Sequence, residues 1–140
     1  MTVEYVEMPD VEAGLVAELT NDPHLTDFTP SVHVGADMVG YTKDQTWIML
    51  TRIGGKRNWP AFDRPIVQFD IYAADRGMAE DVAQACRATV FSYQHSRFAS
   101  MSVGGVEEFH GMIYLPDPLQ EGSVPRYLFA LEIIVRPNPS

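Results

Sequence analysis

The residues able to do chemistry are scattered along the chain. The four histidines are His24, His33, His95 and His110. They sit in different segments, and none has a second His or Cys at the close spacing that places two metal ligands on one helix face or turn. The spacing therefore predicts no metal centre. The single cysteine, Cys86, falls on an apolar stripe. It is expected to be a buried small hydrophobe and not a nucleophile. Residues 100–105 (Ser-Met-Ser-Val-Gly-Gly) lack the G-x-S-x-G elbow that exposes a catalytic serine. Gly54-Gly55-Lys56 lacks the spacing of a phosphate-binding loop and its following Ser or Thr, and reads as a turn. Asp63, Asp70 and Asp75 could form a carboxylate cluster, but Asp70 reads as the polar face of a strand and Asp75 as a helix cap. The sequence holds no catalytic constellation, which counts mildly against an enzyme.

Two features do not reduce to ordinary folding. Residues 54–64 read as a polar loop of about ten residues, a length that is usually functional or mobile in a compact domain. It carries Arg57, Trp59, Phe62 and Arg64, the residue types enriched at interface hot spots. These four are the candidate subunit-interface residues; the alternative is a loop folded back on its own sheet. The second feature is the scarcity of charge on either face of the strands predicted over 47–53, 66–73 and 127–135. With few helices to cover them, one apolar face is expected to need another subunit.

The elements that must position these residues are organised around 65–93. Val67, Phe69, Ile71 and Ala73 alternate with Gln68, Asp70 and Tyr72, the period of a half-buried strand. Asp75 is placed to cap a helix. Met78, Val82, Ala85, Cys86, Thr89, Val90 and Tyr93 then form one helical stripe, which must bury itself on the sheet. Earlier, Pro9 and Asp10 open a helix with Val11, Leu15, Val16 and Leu19 on one side, and Gly14 weakens it. Asn21-Asp22-Pro23 ends it, and 23–30 reads as loop. Strands are predicted over 31–37 and 46–53, then 65–73. After a connection over 94–101, a strand starts at 103–106 and continues or restarts over 108–115. Residues 126–136 form the last strand, with Tyr127, Phe129, Leu131, Ile133 and Val135 on one face. The predicted fold is α+β: a single sheet of about five strands with two helices packed on one face, in the order α-β-β-β-α-β-β.

The 140 residues read as one domain spanning 1–140, large enough to bury a core without staples. The lone cysteine excludes an intrachain disulfide, and Met1-Thr2-Val3-Glu4 has no secretory pattern, so cytoplasmic synthesis is expected. No apolar run approaches membrane-spanning length. The formal net charge of −9 disfavours wrapping nucleic acid, but suits a surface that DNA slides past.

An ordered set of motifs resembles a known family. Thr51-Arg52-Ile53-Gly54-Gly55, Asp63-Arg64-Pro65, Val67 to Ala73, and the helix with Ala79-Glu80-Asp81-Val82-Ala83 are similar to tail terminator proteins of long-tailed bacteriophages, notably those of actinobacteria. Val103-Gly104-Gly105-Val106, Leu115-Pro116-Asp117-Pro118, Pro125-Arg126-Tyr127 and the opening Pro9-Asp10-Val11-Glu12 extend the resemblance over about residues 8–137. The longer connection over 91–101 and Phe109-His110-Gly111-Met112 depart from the pattern. The resemblance implies a virion protein forming a hexameric ring on the head-proximal end of the tail tube. Its partners would be further copies of itself, the tail tube protein and the head–tail connector, with DNA passing through the lumen without specific binding. It implies no catalysis, cofactor or membrane. Other readings of the sequence are a different head–tail joining protein, or a small enzyme or ligand-binding domain with a pocket between helix 75–93 and the sheet.

Overall fold

The strand and helix over 65–93 form as their periods require. In the computed structural model, which describes residues 5–29, 31–58, 61–98, 101–118 and 123–137, the strand β3 spans Phe62–Tyr72 and the helix α3 spans Arg76–Phe91. Val67, Phe69, Ile71 and Ala73 are fully buried on one face. The Asp75 carboxylate accepts from the Met78 amide at 2.8 Å and satisfies one of the helix's orphan donors. Val82, Cys86 and Val90 bring the helical stripe onto that face, where Phe69 and Phe129 stack at 4.9 Å. Each such large side chain contributes about 1.5–3 kcal/mol by leaving water.

Preceding these are α1 (Val11–Thr20), the short α2 (Pro23–Thr26), β1 (Val32–Gly35) and β2 (Thr46–Asn58); following them are β4 (Arg97–Phe98), β5 (Met101–Tyr114) and β6 (Arg126–Pro137). The strands make one mixed, curled sheet in the order β1-β2-β3-β6-β5-β4. β1 runs parallel to β2, and every other pairing is antiparallel. Val11, Leu15 and Leu19 of α1, Leu25 of α2 and the stripe of α3 all join one core with the inward strand residues, so the three helices share a face. Asp10 caps α1 through the Ala13 amide. Gly14 is buried because a Cβ there would sit 2.8 Å from the Met101 Cε: its lost helix propensity is set against close packing of α1 on β5.

The expected architecture is corrected here. The chain is a mostly-sheet fold of six strands with three short helices, not an α+β sheet of about five strands under two helices. Glycines account for the difference in strand length. Gly54-Gly55 was expected to stop β2, but the ladder with β3 shifts register between Arg52 and Gly54 and runs on to Asn58. Gly55 has φ +115°, and a Cβ there would approach the Arg64 carbonyl oxygen to 2.1 Å, so only glycine lets the strand pass this close to β3 and continue. Similar shifts at Val103/Gly105, Glu108/His110 and His110/Ile113 keep β5 continuous. The segment read as loop over 23–30 holds α2, because Pro23 occupies its first turn and Asp22 caps it. The connection over 94–101 holds β4.

Candidate subunit interface

The segment read as a ten-residue loop is the far end of a long β2–β3 hairpin. Lys56 pairs with Arg64, Arg57 with Asp63 and Asn58 with Phe62. Because strand neighbours alternate faces, Arg57 and Arg64 point to opposite sides. Arg57 is exposed, and its guanidinium donates to the Val6 carbonyl. Arg64 donates to Glu132 Oε1 of β6 at 2.6 and 3.1 Å. Phe62 is half-buried at the start of β3. Trp59 lies outside the described residues. Among the described residues, Arg57 and Arg64 therefore do not share one patch.

The helix-free face of the sheet divides in two. At the β1 end it is covered by loops: Trp47 and Tyr72 pack with Val124, Met38, Tyr41 and Met49, and Trp47 Nε1 donates to the Asp37 carbonyl at 3.1 Å. Next to this cluster the Tyr72 hydroxyl donates to Asp117 Oδ2 at 3.0 Å, and Gln68 Nε2 donates to both oxygens of Asp70. Arg126 Nη1 stands 3.9 Å from Asp70 and from Asp117, a shared counter-charge. Burial pushes the Asp70 carboxyl above its usual range despite Gln68 and Arg126. Burial also raises the Tyr72 phenol to about 12. This network pins residues 117 and 124 onto the sheet.

The other half of the face is open. Ile66, Leu128 and Ile134 are half-buried there, with Glu132 and Glu107 in the same cross-strand rows. Ile113 of β5, opposite Leu128, is 41% exposed on this face, while Ile53 of β2 (49% exposed) and Phe109 of β5 (59% exposed) sit at the register shifts of their strands. These apolar residues lie on two different strands at opposite sides of the sheet.

The three carboxylates considered as a cluster are separated. Asp63 is buried and forms a paired contact with the Arg52 guanidinium at 2.9 and 3.3 Å, Asp70 joins Asp117 through Arg126, and Asp75 caps α3. The meeting of Asp70, Asp117 and Arg126 was not legible, because it depends on β3 pairing with β6 across 50 or more residues of chain. The Tyr72–Arg126 register is the signal that reveals it. Among the described residues no group of three His, Cys, Asp or Glu side chains could hold a metal ion. His24 contacts Asp22 at 2.8 Å, and the His33 ring lies 3.7 Å from that of Trp47. Between α3 and the sheet the space is filled by core side chains; the groove beside α3 lies against α2, lined by His24, Phe28, Ala85, Ala88, Thr89 and Ser92. No described helix is long and apolar enough to cross a membrane. No family model and no curated protein matches this chain.

Proposed function

We propose that the chain is a structural virion protein of the tail-terminator kind, which closes into a hexameric ring at the head-proximal end of a phage tail tube, stops the tube growing and joins it to the head connector. The observation that carries this reading is the pair of exposed apolar sites, Ile53 on β2 and Phe109 on β5, the second strands from the two ends of one sheet. A cyclic assembly of identical chains uses head-to-tail contacts, so each copy needs two different complementary patches. A C2 dimer would need only one self-complementary patch. The net charge of −9 suits a lumen that passes DNA without holding its phosphates.

The test is negative-stain electron microscopy of the purified chain mixed with tail tubes of the phage that encodes it. Six-fold rings seated at one end of each tube support the reading. Absence of rings, with tubes that lengthen as before, overturns it.

A further inference from the structure

We propose that the end of the sheet built from β4, β5 and β6 binds a phosphomonoester, its phosphate held between Arg97 and Arg136 and its apolar body lying against Phe62 and Ile134. The inference goes beyond the ring reading and does not depend on it. The register sets the two arginines on one row: Arg97 of β4 pairs with Ser102 of β5, and Ser102 pairs with Arg136 of β6. Residues directly opposite one another in a ladder share a face. Met101 and Val103, on either side of Ser102, enter the core beneath the helices, so the row of Arg97, Ser102 and Arg136 belongs to the helix-free face. Strands lie about 4.8 Å apart, so the two arginines start about 10 Å from each other with only the small, buried Ser102 between them. A single anion in that gap is within reach of both guanidiniums.

The positive charge there is unanswered within the described chain. Arg52, Arg64, Arg87 and Arg126 each face a carboxylate. Arg97 and Arg136 are exposed and have no ion pair or side-chain hydrogen bond among the described residues, although the chain carries 19 acidic side chains against 10 basic ones. Glu132 of β6 is four residues from Arg136, roughly 13 Å along the strand, and is held by Arg64. Glu107 shares the row of Glu132. His95 adds a ring N–H donor at the same place. Its backbone has φ +66°, its amide donates to the Val103 carbonyl at 2.8 Å, and the Val103 amide donates to the Ser96 carbonyl at 2.8 Å. That turn fixes the imidazole beside the row, and His95, Arg97, Ser102 and Arg136 line one depression of about 180 Å³. Two permanent charges on opposite sides suit the phosphate dianion better than a carboxylate, and guanidinium pairs with phosphate oxygens in bidentate fashion. A second depression, of about 300 Å³, shares His95, Gly104 and Arg136 with the first and is walled by Ala61, Phe62 and Ile134. Gly104, which lines both, has no side chain to divide them. The apolar wall suits the body of an ester.

The test titrates the full chain with phenyl phosphate, inorganic phosphate and phenol by calorimetry, at neutral pH and fixed ionic strength. Phenyl phosphate should bind saturably, one per chain, inorganic phosphate about tenfold more weakly and phenol not detectably. Arg97→Gln and Arg136→Gln should each weaken phenyl phosphate at least about tenfold. Lys56→Gln, which removes an exposed cation elsewhere, should leave it unchanged. Phe62→Ala should bring phenyl phosphate down to the affinity of inorganic phosphate. The arginines are exposed, so their variants should keep the parent's denaturation midpoint, and a loss of binding then reports the site alone. No saturable binding of phenyl phosphate, unchanged binding in both arginine variants, or an equal loss in Lys56→Gln overturns the site. Inorganic phosphate bound as tightly as phenyl phosphate assigns the site to free phosphate and overturns the ester. A DNA oligomer without terminal phosphate that displaces phenyl phosphate marks a nucleic-acid contact and overturns it too.

Discussion

The Tyr93 hydroxyl donates to Asp22 Oδ2 at 2.8 Å, tying the residue just past α3 to the cap of α2. The same carboxylate accepts from the His24 amide at 2.9 Å. Burial alone would raise the Asp22 pKa, but the Tyr93 hydroxyl and the His24 amide and ring hold it below its usual value. A carboxylate depressed in the folded state adds stability that is fully present above its unfolded pKa and is lost as pH falls through the folded one. Tyr93→Phe keeps the ring against Phe98 and removes only the donor. It should cost about 1–2 kcal/mol at neutral pH. Denaturant melts should show the variant losing less stability than the parent as pH is lowered from about 5 toward 2.

Phe69 and Phe129 stack across β3 and β6 with an interplanar angle of 14° and are fully buried. Each change to Ala should cost about 3–5 kcal/mol, as a large-to-small change in a packed core. The pair is in contact, so the double variant should lose less than the sum of the two, by roughly 0.5–1.5 kcal/mol. Chemical denaturation of the four proteins measures the coupling. Strict additivity would mean that the rings do not interact.

Cys86 has no exposed surface, and burial pushes its thiol well above the usual range. Reaction with a thiol reagent should therefore follow opening of the fold and remain slow in the native state. Cys86→Ser should destabilise by about 1–3 kcal/mol, since the hydroxyl enters an apolar site without a partner. Prompt stoichiometric labelling of the native protein would refute this.

Asp70 titrates in the opposite sense to Asp22. Its pKa is raised from 3.8 by burial, so the folded state prefers the neutral acid. The stability this preference gives is full below the unfolded pKa and is lost as pH rises through the folded one. Asp70→Asn cannot ionise. The melting temperature of the variant, relative to the parent, should climb as pH goes from about 3.5 to 7. A constant difference across that range would mean that Arg126 and Gln68 fully offset the burial.

The inward face of the sheet was legible because its signal is local. Val67, Phe69, Ile71 and Ala73 report their burial through alternation, and Cys86 through its place beside Val82 and Val90. The Asp75 cap was legible for the same reason. Strand length was not, because Gly54-Gly55 is a stop signal in sequence, while the ladder shifts register between Arg52 and Gly54 and runs on through Gly55. The end of the hairpin therefore resembles a loop in sequence, and Arg57 and Arg64, close in that segment, lie on opposite faces of the sheet. The far sides of the sheet were equally hidden. Ile53 and Phe109 look like ordinary strand residues until the order β1-β2-β3-β6-β5-β4 places them at its opposite sides.

The central claim, that this chain closes into a ring of six, is tested most directly by its mass in solution. Light scattering behind size exclusion, across a wide range of loading concentration, should give a species of about six times the 15.7 kDa chain. A ring closed by heterologous contacts should pass from one chain to six with little between. A mass fixed at one or two chains over the whole range would contradict the account, as would a mass that grows without limit.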